Sequence, residues 1–329
     1  MTEAIRTGRD PSISAELEQY RNELTAYAYR MLGSTFEAED AVQETMVRAW
    51  RAVDGFEGRS ALRTWLYRIA TNVCFDMLKG RQRRARPMDL GPASSADTPL
   101  APPLPEITWI EPVPDRLLLS PGVDPAEAAV ARDSVRLALI TALQRLPARQ
   151  RAVLILREVL GWRADEVAEL LETTAASVNS ALQRARATLA DNSPADTDPF
   201  LPMDEQQQAL LARYVEAFER YDLDSLVSLL HDEVVQSMPP YELWLQGPEA
   251  IRAWFLGAGI GCRDSVVVRV EPANGLPAFG QYKPGPEGGY VPWSIQVLEI
   301  SNGRIAGLNY FLDTTRLFPL FGLPLEYRG

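Results

Sequence analysis

Residues 142–190 read ALQRLPARQRAVLILREVLGWRADEVAELLETTAASVNSALQRARATLA. This stretch predicts a series of short helices, and the last two, residues 164–171 and 175–190, are spaced like a helix-turn-helix. Thr174 stands just before the second of them, where its hydroxyl oxygen can accept a hydrogen bond from a free amide of the first turn. Apolar residues then recur at intervals of three and four, which indicates one buried helical face.

The opposite face of this second helix carries small polar side chains near its N-terminus and arginines further on. They are Ser177, Ser180, Gln183, Arg184 and Arg186. A helix that reads DNA needs such a face, with polar groups for base edges and arginines for phosphates, and the helix sequence contains no acid. An ordinary bundle helix with a polar outer face has the same spacing. The pattern alone leaves both interpretations open.

The composition is that of a folded protein with several domains. The chain has 329 residues, of which 46% are hydrophobic, which is enough for two or three packed cores. It has no apolar run of 18 residues and begins with a polar segment, so we expect a cytoplasmic protein with neither a membrane span nor a signal for export. Cys74 and Cys262 lack metal-ligand spacing, and His231 is the single histidine. We therefore expect reduced cysteines, no metal and no cofactor.

The charge is unevenly distributed along the chain. The formal net charge is −11 at pH 7, but most of the acidity falls within residues 204–329, and residues 1–190 are close to neutral. Within that neutral part, a basic cluster without acids is formed by Lys79, Arg81, Arg83, Arg84 and Arg86. Such a cluster can neutralise several phosphates, whatever the charge of the whole chain.

Helical periodicity and proline content divide the chain into five parts. We predict an all-α domain over residues 12–86, a proline-rich linker over 87–124, a second helical domain over 125–190 and a short linker over 191–203. In residues 204–329, helices precede several alternating β-rich runs, which predicts an α+β module.

The first linker contains a segment that is too apolar for a freely solvated tether. Residues 109–119 read WIEPVPDRLLL, with Trp109, Pro112 and Pro114 among them. An exposed tryptophan beside three leucines is unfavourable, so we expect this segment to dock on a domain surface.

Four motifs in the helical half resemble the extracytoplasmic-function group of bacterial sigma-70 factors. Residues 40–50, DAVQETMVRAW, resemble the signature of region 2.2, and residues 63–74, RTWLYRIATNVC, resemble the start of the helix that melts and reads the −10 promoter element. Residues 146–151 and 166–171 resemble region 4, so the helix after them is the expected reader of the −35 element.

This resemblance implies roles for particular residues. The surface expected to bind the clamp helices of RNA polymerase consists of Asp40, Gln43, Glu44 and Arg48. The residues expected at the −10 element are Phe56, Arg59, Ser60, Asn72, Asp76, Lys79, Arg81, Arg83 and Arg84. The residues expected at the −35 element are the five polar side chains of the second helix given above. The implied partners are core RNA polymerase and promoter DNA.

Residues 204–329 resemble a SnoaL-like (NTF2-like) domain, a cone formed by a curved sheet and helices. Some relatives are enzymes, with a general base just before a proline. Met238 stands at that position here and cannot accept a proton. A pocket for an unknown small ligand is expected instead, and its candidate residues are Trp244, Trp293, Tyr310 and Asp313.

We therefore predict a multidomain sigma factor with two all-α domains and an α+β cone. The resemblance implies that the cone regulates the sigma factor. Our hypothesis is that it does so by holding regions 2 and 4 in a compact or a polymerase-competent arrangement. Two alternatives belong to other classes: an isomerase or hydrolase fused to a DNA-binding half, and a one-component repressor that senses a small molecule. The clamp-binding face argues against a plain repressor, which has no use for it.

Overall fold

The structure is a computed structural model, and it describes residues 11–53, 61–118, 132–190, 198–201, 204–286 and 288–327, with the backbone alone for residues 11–14. The first helical domain consists of α1 Pro11–Glu18, α2 Arg21–Leu32, α3 Thr35–Ala52 and α4 Leu62–Leu78. Gly33 ends α2 with a φ of 72°, and the Ser34 hydroxyl caps α3 by accepting a hydrogen bond from the Glu37 amide. The buried faces of α2, α3 and α4 meet in one apolar core.

The second helical domain consists of α5 Leu137–Gln144, α6 Ala148–Leu154, a π-helical turn Ile155–Val159, α7 Ala164–Leu170 and α8 Ala175–Ala190. The Thr174 hydroxyl accepts a hydrogen bond from the Ser177 amide at 3.1 Å, which confirms the predicted cap of α8. Val178, Leu182 and Ala185 form the buried face of this helix.

The C-terminal module has the predicted α+β architecture. Its helices are α9 Glu205–Glu219, α10 Leu223–Ser228, α11 Pro248–Leu256 and α12 Thr314–Leu320. Its strands are β1 Leu230–Ser237, β2 Trp244–Gln246, β3 Val266–Arg269, β4 Ala278–Pro284, β5 Tyr290–Ser301 and β6 Arg304–Phe311. They form a sheet of order β2-β1-β6-β5-β4-β3, in which β1 and β6 are parallel and the other pairs antiparallel.

The two faces of this sheet belong to different cores. One face packs on α9, α10 and α11 and closes the cone. The other face, with Ile295 and Val297 of β5, joins the same apolar core as Tyr29 of α2 and Ile140 of α5. The module and the two helical domains are therefore packed together rather than strung along a tether.

The described part of the first linker lies between these bodies. It contains three single turns of 3₁₀-helix, Pro87–Asp89, Glu106–Thr108 and Asp115–Leu117. Trp109 is 3% exposed, and Ile110 and Val113 are also buried. Leu119 of the predicted docking segment and the expected helix start near residue 125 lie outside the described residues.

Candidate nucleic-acid and partner interface

The predicted clamp-binding side chains lie on one exposed face of α3. Asp40, Gln43, Glu44 and Arg48 are all exposed, whereas the opposite face of the helix is buried. Arg48 donates a hydrogen bond to Glu44 at 2.7 Å, one helical turn away. This face therefore presents a preformed polar surface, with acidic and basic groups fixed beside each other.

Most of the predicted −10 residues that the structure describes also lie on the surface. The exposed ones are Asn72, Asp76, Lys79, Arg81 and Arg83. The Lys79 ammonium donates to Asp76 at 2.7 Å, and this hydrogen bond lowers the pKa of the Asp76 carboxyl. Phe56, Arg59 and Ser60 lie outside the described residues.

Arg84 is an exception and corrects the sequence prediction. Its side chain is buried, and its guanidinium donates to the carbonyl oxygens of Glu106 at 3.0 Å and Trp109 at 2.5 Å. It also forms an ion pair with Glu37 at 3.1 Å. Arg84 therefore holds the linker against the first helical domain, whose motifs resemble region 2, and does not present its charge to a phosphate. Arg81 contacts the same Glu37 carboxylate but keeps an exposed side chain.

The predicted −35 residues form one exposed face of α8. Ser177, Ser180, Gln183, Arg184 and Arg186 are exposed. Arg186 donates to Glu158 at 2.7 Å, on the turn before α7. The helix-turn-helix therefore presents the face expected of a DNA reader while its apolar face stays in the core.

The two helical domains contact each other directly. Trp162, just before α7, packs on Tyr67 of α4 with ring centroids 5.1 Å apart, and the Arg63 guanidinium lies over both rings. Arg68 of α4 donates to the Glu169 carbonyl oxygen at 3.1 Å. The helix that carries the predicted −10 residues is thus covered in part by the domain that carries the −35 residues.

Two buried arginines lie at this domain contact. Arg30 of α2 donates to the Ser134 carbonyl and hydroxyl oxygens, and Arg151 of α6 donates to carbonyl oxygens that include that of Met31. Burial lowers the pKa of each guanidinium to about 10. Among the described residues, no carboxylate forms an ion pair with either of them, so neutral oxygens, which include the Ser134 hydroxyl and the Gln144 side-chain oxygen, accept their hydrogen bonds.

Asn274, which the sequence analysis did not single out, joins all the bodies. It lies fully buried in the turn between β3 and β4, with a φ of 54°. Its side-chain oxygen accepts from the Val113 amide of the linker at 3.0 Å. Its side-chain amide donates at 2.7 Å both to the Tyr29 hydroxyl of region 2 and to the Val135 carbonyl oxygen before α5. One side chain of the module thus holds the first helical domain (region 2), the linker and the second helical domain (region 4).

The linker residues on either side reinforce this junction. The Ser34 hydroxyl donates to the Glu111 carboxylate at 2.5 Å, and the Thr35 hydroxyl donates to the Pro112 carbonyl oxygen at 2.9 Å. Burial raises the pKa of Glu111. Pro114 pairs with Ala273 in an isolated antiparallel bridge. The linker is therefore held by region 2 on one side and by the module on the other.

The four candidate pocket residues do not share one cavity, which corrects a second prediction. The Trp244 indole donates to the Gly91 carbonyl oxygen of the linker at 3.0 Å, and the Lys283 ammonium lies 3.1 Å from the ring centre of Trp293. Tyr310 is buried in the cone, 3.4 Å from the Tyr214 hydroxyl. Asp313 lines a cavity of about 300 Å³ outside the cone. The large apolar side chains of the cone pack against one another, which separates these positions.

Met238, which the family resemblance placed at the expected general-base position, is buried in the apolar core of the cone. Within the described ranges, no helix is long and apolar enough to cross a membrane, and no group of three or more potential metal ligands is found.

The chain matches three family models in the order that the fold shows. They are sigma-70 region 2 over residues 17–84, sigma-70 region 4 over 136–189 and the SnoaL-like domain over 211–308. It is 44% identical to the ECF RNA polymerase sigma factor SigG of Mycobacterium tuberculosis, over 98% of this chain and 88% of that protein. It is 26% identical to the probable ECF RNA polymerase sigma factor SigI of the same organism, over 94% and 96% of the two chains.

Among solved structures, the chain resembles the extracytoplasmic-function sigma factor SigJ of Mycobacterium tuberculosis. The TM-score is 0.58 at 22% identity, and the match covers 96% of this chain and all of that one. The chain belongs to the extracytoplasmic-function sigma-70 family of RNA polymerase sigma factors. It is a transcription initiation factor that directs promoter-specific transcription, and it carries a SnoaL-like domain at its C-terminal end. It is not an enzyme, which excludes the isomerase or hydrolase alternative.

Proposed function

We propose that the protein acts in the cytoplasm and that three of its exposed surfaces each bind a different partner during transcription initiation. The α3 face around Asp40 and Glu44 binds the clamp helices of core RNA polymerase. The exposed residues of α4 bind the −10 element together with Lys79, Arg81 and Arg83, and the polar face of α8 binds the −35 element. Their exposure and their match to the family motifs support these assignments, because a polar face with no core to serve is free to bind a partner.

We further propose that the structure is a closed arrangement, which has to open at a promoter. The two elements are about 25 base pairs apart, or about 85 Å at 3.4 Å per base pair of B-DNA. Here α4 contacts α7, and α7, about 10 Å across, packs on α8. Helices so close together do not reach both elements at once. Regions 2 and 4 therefore separate before they bind a promoter together.

The observation that carries this proposal is the junction at Asn274. Its hydrogen bonds to Tyr29, Val113 and Val135 run from the C-terminal module to region 2, the linker and region 4. A buried side chain with three such bonds favours the closed arrangement, because separating the domains exposes all three groups. The module thereby acts on promoter binding without touching DNA.

Run-off transcription with purified core polymerase tests the clamp assignment. The double charge reversal Asp40→Arg/Glu44→Arg should lower the run-off product about tenfold or more, since it replaces attraction by repulsion at an interface. Glu242→Arg/Glu249→Arg is the matched control, because both acids are exposed on the module and the change in charge is the same. Equal loss in the two variants would contradict a specific clamp surface.

A second experiment tests the closed arrangement. Asn274→Asp keeps the size of the side chain and tolerates the positive φ, but it removes the donor that the Val135 carbonyl oxygen needs. We expect a radius of gyration above the value of about 20 Å for a compact chain of this length, measured by small-angle scattering, together with more run-off product. Asn302→Asp, in an exposed turn with a φ of 51°, is the control. Unchanged compactness and activity in Asn274→Asp would refute the proposal.

A further inference from the structure

A cavity of about 300 Å³ lies outside the cone, between the linker and the end of the sheet. Trp109 of the linker forms one side, and Pro239, Pro240 and Phe311 of the module form the other. The cavity is open to solvent along one side, and its volume suits a molecule of about ten non-hydrogen atoms. Its walls are mostly apolar, as in sites that bind small organic molecules.

The polar groups of the cavity are predominantly negative. Three carboxylates line it, those of Glu106 and Glu111 from the linker and that of Asp313 from the module. Among the residues that the structure describes, one guanidinium stands between them: Arg316 contacts Glu106 and lies 3.6 Å from both Glu111 and Asp313. Arg84, behind Glu111, is already bound to Glu37 and to linker carbonyl oxygens. Three acids therefore share one available cation.

The surroundings leave two of these carboxylates poorly compensated. Burial raises the pKa of Glu111 and the pKa of Asp313, because the loss of water around each carboxylate outweighs the hydrogen bonds that Glu111 accepts from Ser34 and Asp313 from the Arg316 amide. An anionic ligand would worsen this imbalance, and a purely apolar one would remove water from the carboxylates without replacing it. A cation with an apolar body meets both requirements, since aromatic faces such as those of Trp109 and Phe311 also attract cations.

We propose that this cavity binds a small organic ammonium ion with an aryl or alkyl body. The ammonium group pairs with Asp313 and the linker carboxylates, and the body packs between Trp109 and the two prolines. Such a ligand contacts the linker and the module together, so it changes how firmly they are joined. That regulatory consequence rests on the proposed closed arrangement, but binding itself does not.

Binding is measured on the full chain with three probes of similar size and different charge: 2-phenylethylammonium, the neutral 2-phenylethanol and the anionic phenylacetate. Calorimetry and tryptophan fluorescence are followed up to about 10 mM probe. We expect the ammonium ion to bind about tenfold more tightly than the alcohol, and the anion not to bind. Asp313→Asn should weaken ammonium binding at least fivefold, whereas Glu249→Gln, an exposed acid on α11, should leave it unchanged.

A second variant keeps the test decisive if Asp313→Asn alters the fold. Trp109→Phe retains an aromatic wall, so the ammonium ion should still bind by calorimetry while the fluorescence change is lost. The proposal is overturned if the ammonium ion does not bind below about 10 mM. It is also overturned if all three probes bind equally and Asp313→Asn does not change their binding. Scattering and transcription test the closed arrangement, whereas calorimetry and fluorescence test ligand binding. Either proposal can therefore fail while the other stands.

Discussion

Two turns of the module have nearly the same local structure and opposite surroundings. Ala273-Asn274-Gly275 joins β3 to β4, and Ser301-Asn302-Gly303 joins β5 to β6. Both asparagines and both glycines have positive φ angles, between 51° and 70°. In each turn an aspartate from elsewhere in the chain accepts the glycine amide, Asp115 at 2.8 Å and Asp198 at 3.2 Å.

The difference lies in what surrounds the two turns. Asn274 is fully buried and bonded to three bodies, whereas Asn302 is exposed and contacts its own neighbour Ser301. An added Cβ on Gly275 would lie 2.9 Å from the Arg132 side chain, whereas one on Gly303 would meet open space. An Asn-Gly pair thus determines the turn, and the rest of the chain decides whether that turn also joins domains.

The largest expected effect concerns the two asparagines. Asn274→Asp should lower the free energy of unfolding by about 4 kcal/mol, because it places a carboxylate against a carbonyl oxygen in a buried site. Asn302→Asp should change it by less than about 0.5 kcal/mol. Urea denaturation at pH 7 measures both. Similar losses in the free energy of unfolding for the two variants would show that the buried β3–β4 turn does not stabilise the contact between the module and the helical domains.

The glycines should show the next largest difference. Gly275→Ala introduces both an unfavourable positive φ and a collision with Arg132, so we expect a loss of about 3 kcal/mol. Gly303→Ala has the same φ without a collision, and about 1 kcal/mol is expected. Thermal unfolding of both proteins gives the comparison. Equal losses for the two variants would mean that Arg132, just before region 4, does not pack closely against the β3–β4 turn.

The aspartate that accepts the Gly275 amide should make stability depend on pH. Burial raises the pKa of Asp115 to about 6, above its usual value, so the folded state binds the proton more tightly than the unfolded state. The contribution of Asp115 to the free energy of unfolding is therefore fully present below about pH 4 and is lost as the pH rises through 6. The free energy of unfolding of Asp115→Asn, taken relative to that of the wild type, should therefore rise by about 2 kcal/mol between pH 4 and pH 7.

Denaturant unfolding over that pH range measures this gain. Other buried acids are common to both proteins, so their contributions cancel in the difference. Asp198→Asn removes the corresponding acceptor at the exposed turn and serves as the matched control. A pH-independent difference between Asp115→Asn and wild type would contradict the expected titration of Asp115.

The smallest effect on stability is expected at a second pair of like residues. Arg83 is exposed, whereas its neighbour Arg84 is buried in the linker contact. Arg83→Ala should change stability by less than about 0.5 kcal/mol, yet it should reduce the dependence of log K on log salt for promoter DNA by about 0.9. Binding titrations at several salt concentrations measure this slope. An unchanged slope would remove Arg83 from the DNA-binding surface.

The same contrast explains how far the sequence was predictive. The fold class and the two helical domains follow from periodicity and long motifs, because each helix shows its buried face within a few turns. Asn274 and Arg84 depend on contacts with residues far along the chain, and neither differs locally from Asn302 or Arg83. Trp244, Trp293, Tyr310 and Asp313 do not form the predicted group, because an aromatic residue suits a linker contact, a cation contact or a core as well as it suits a pocket.

The junction at Asn274 also has a consequence for the newly made protein. Asn274 follows Val135, to which it donates, by 139 residues. At about 5–20 residues per second, a ribosome takes on the order of 10 s to add the chain between them. Region 4, residues 136–189, is completed within that interval, after region 2 and before the side chain that joins them. Every molecule therefore passes through a nascent stage in which its two promoter-reading domains are not yet joined by the module.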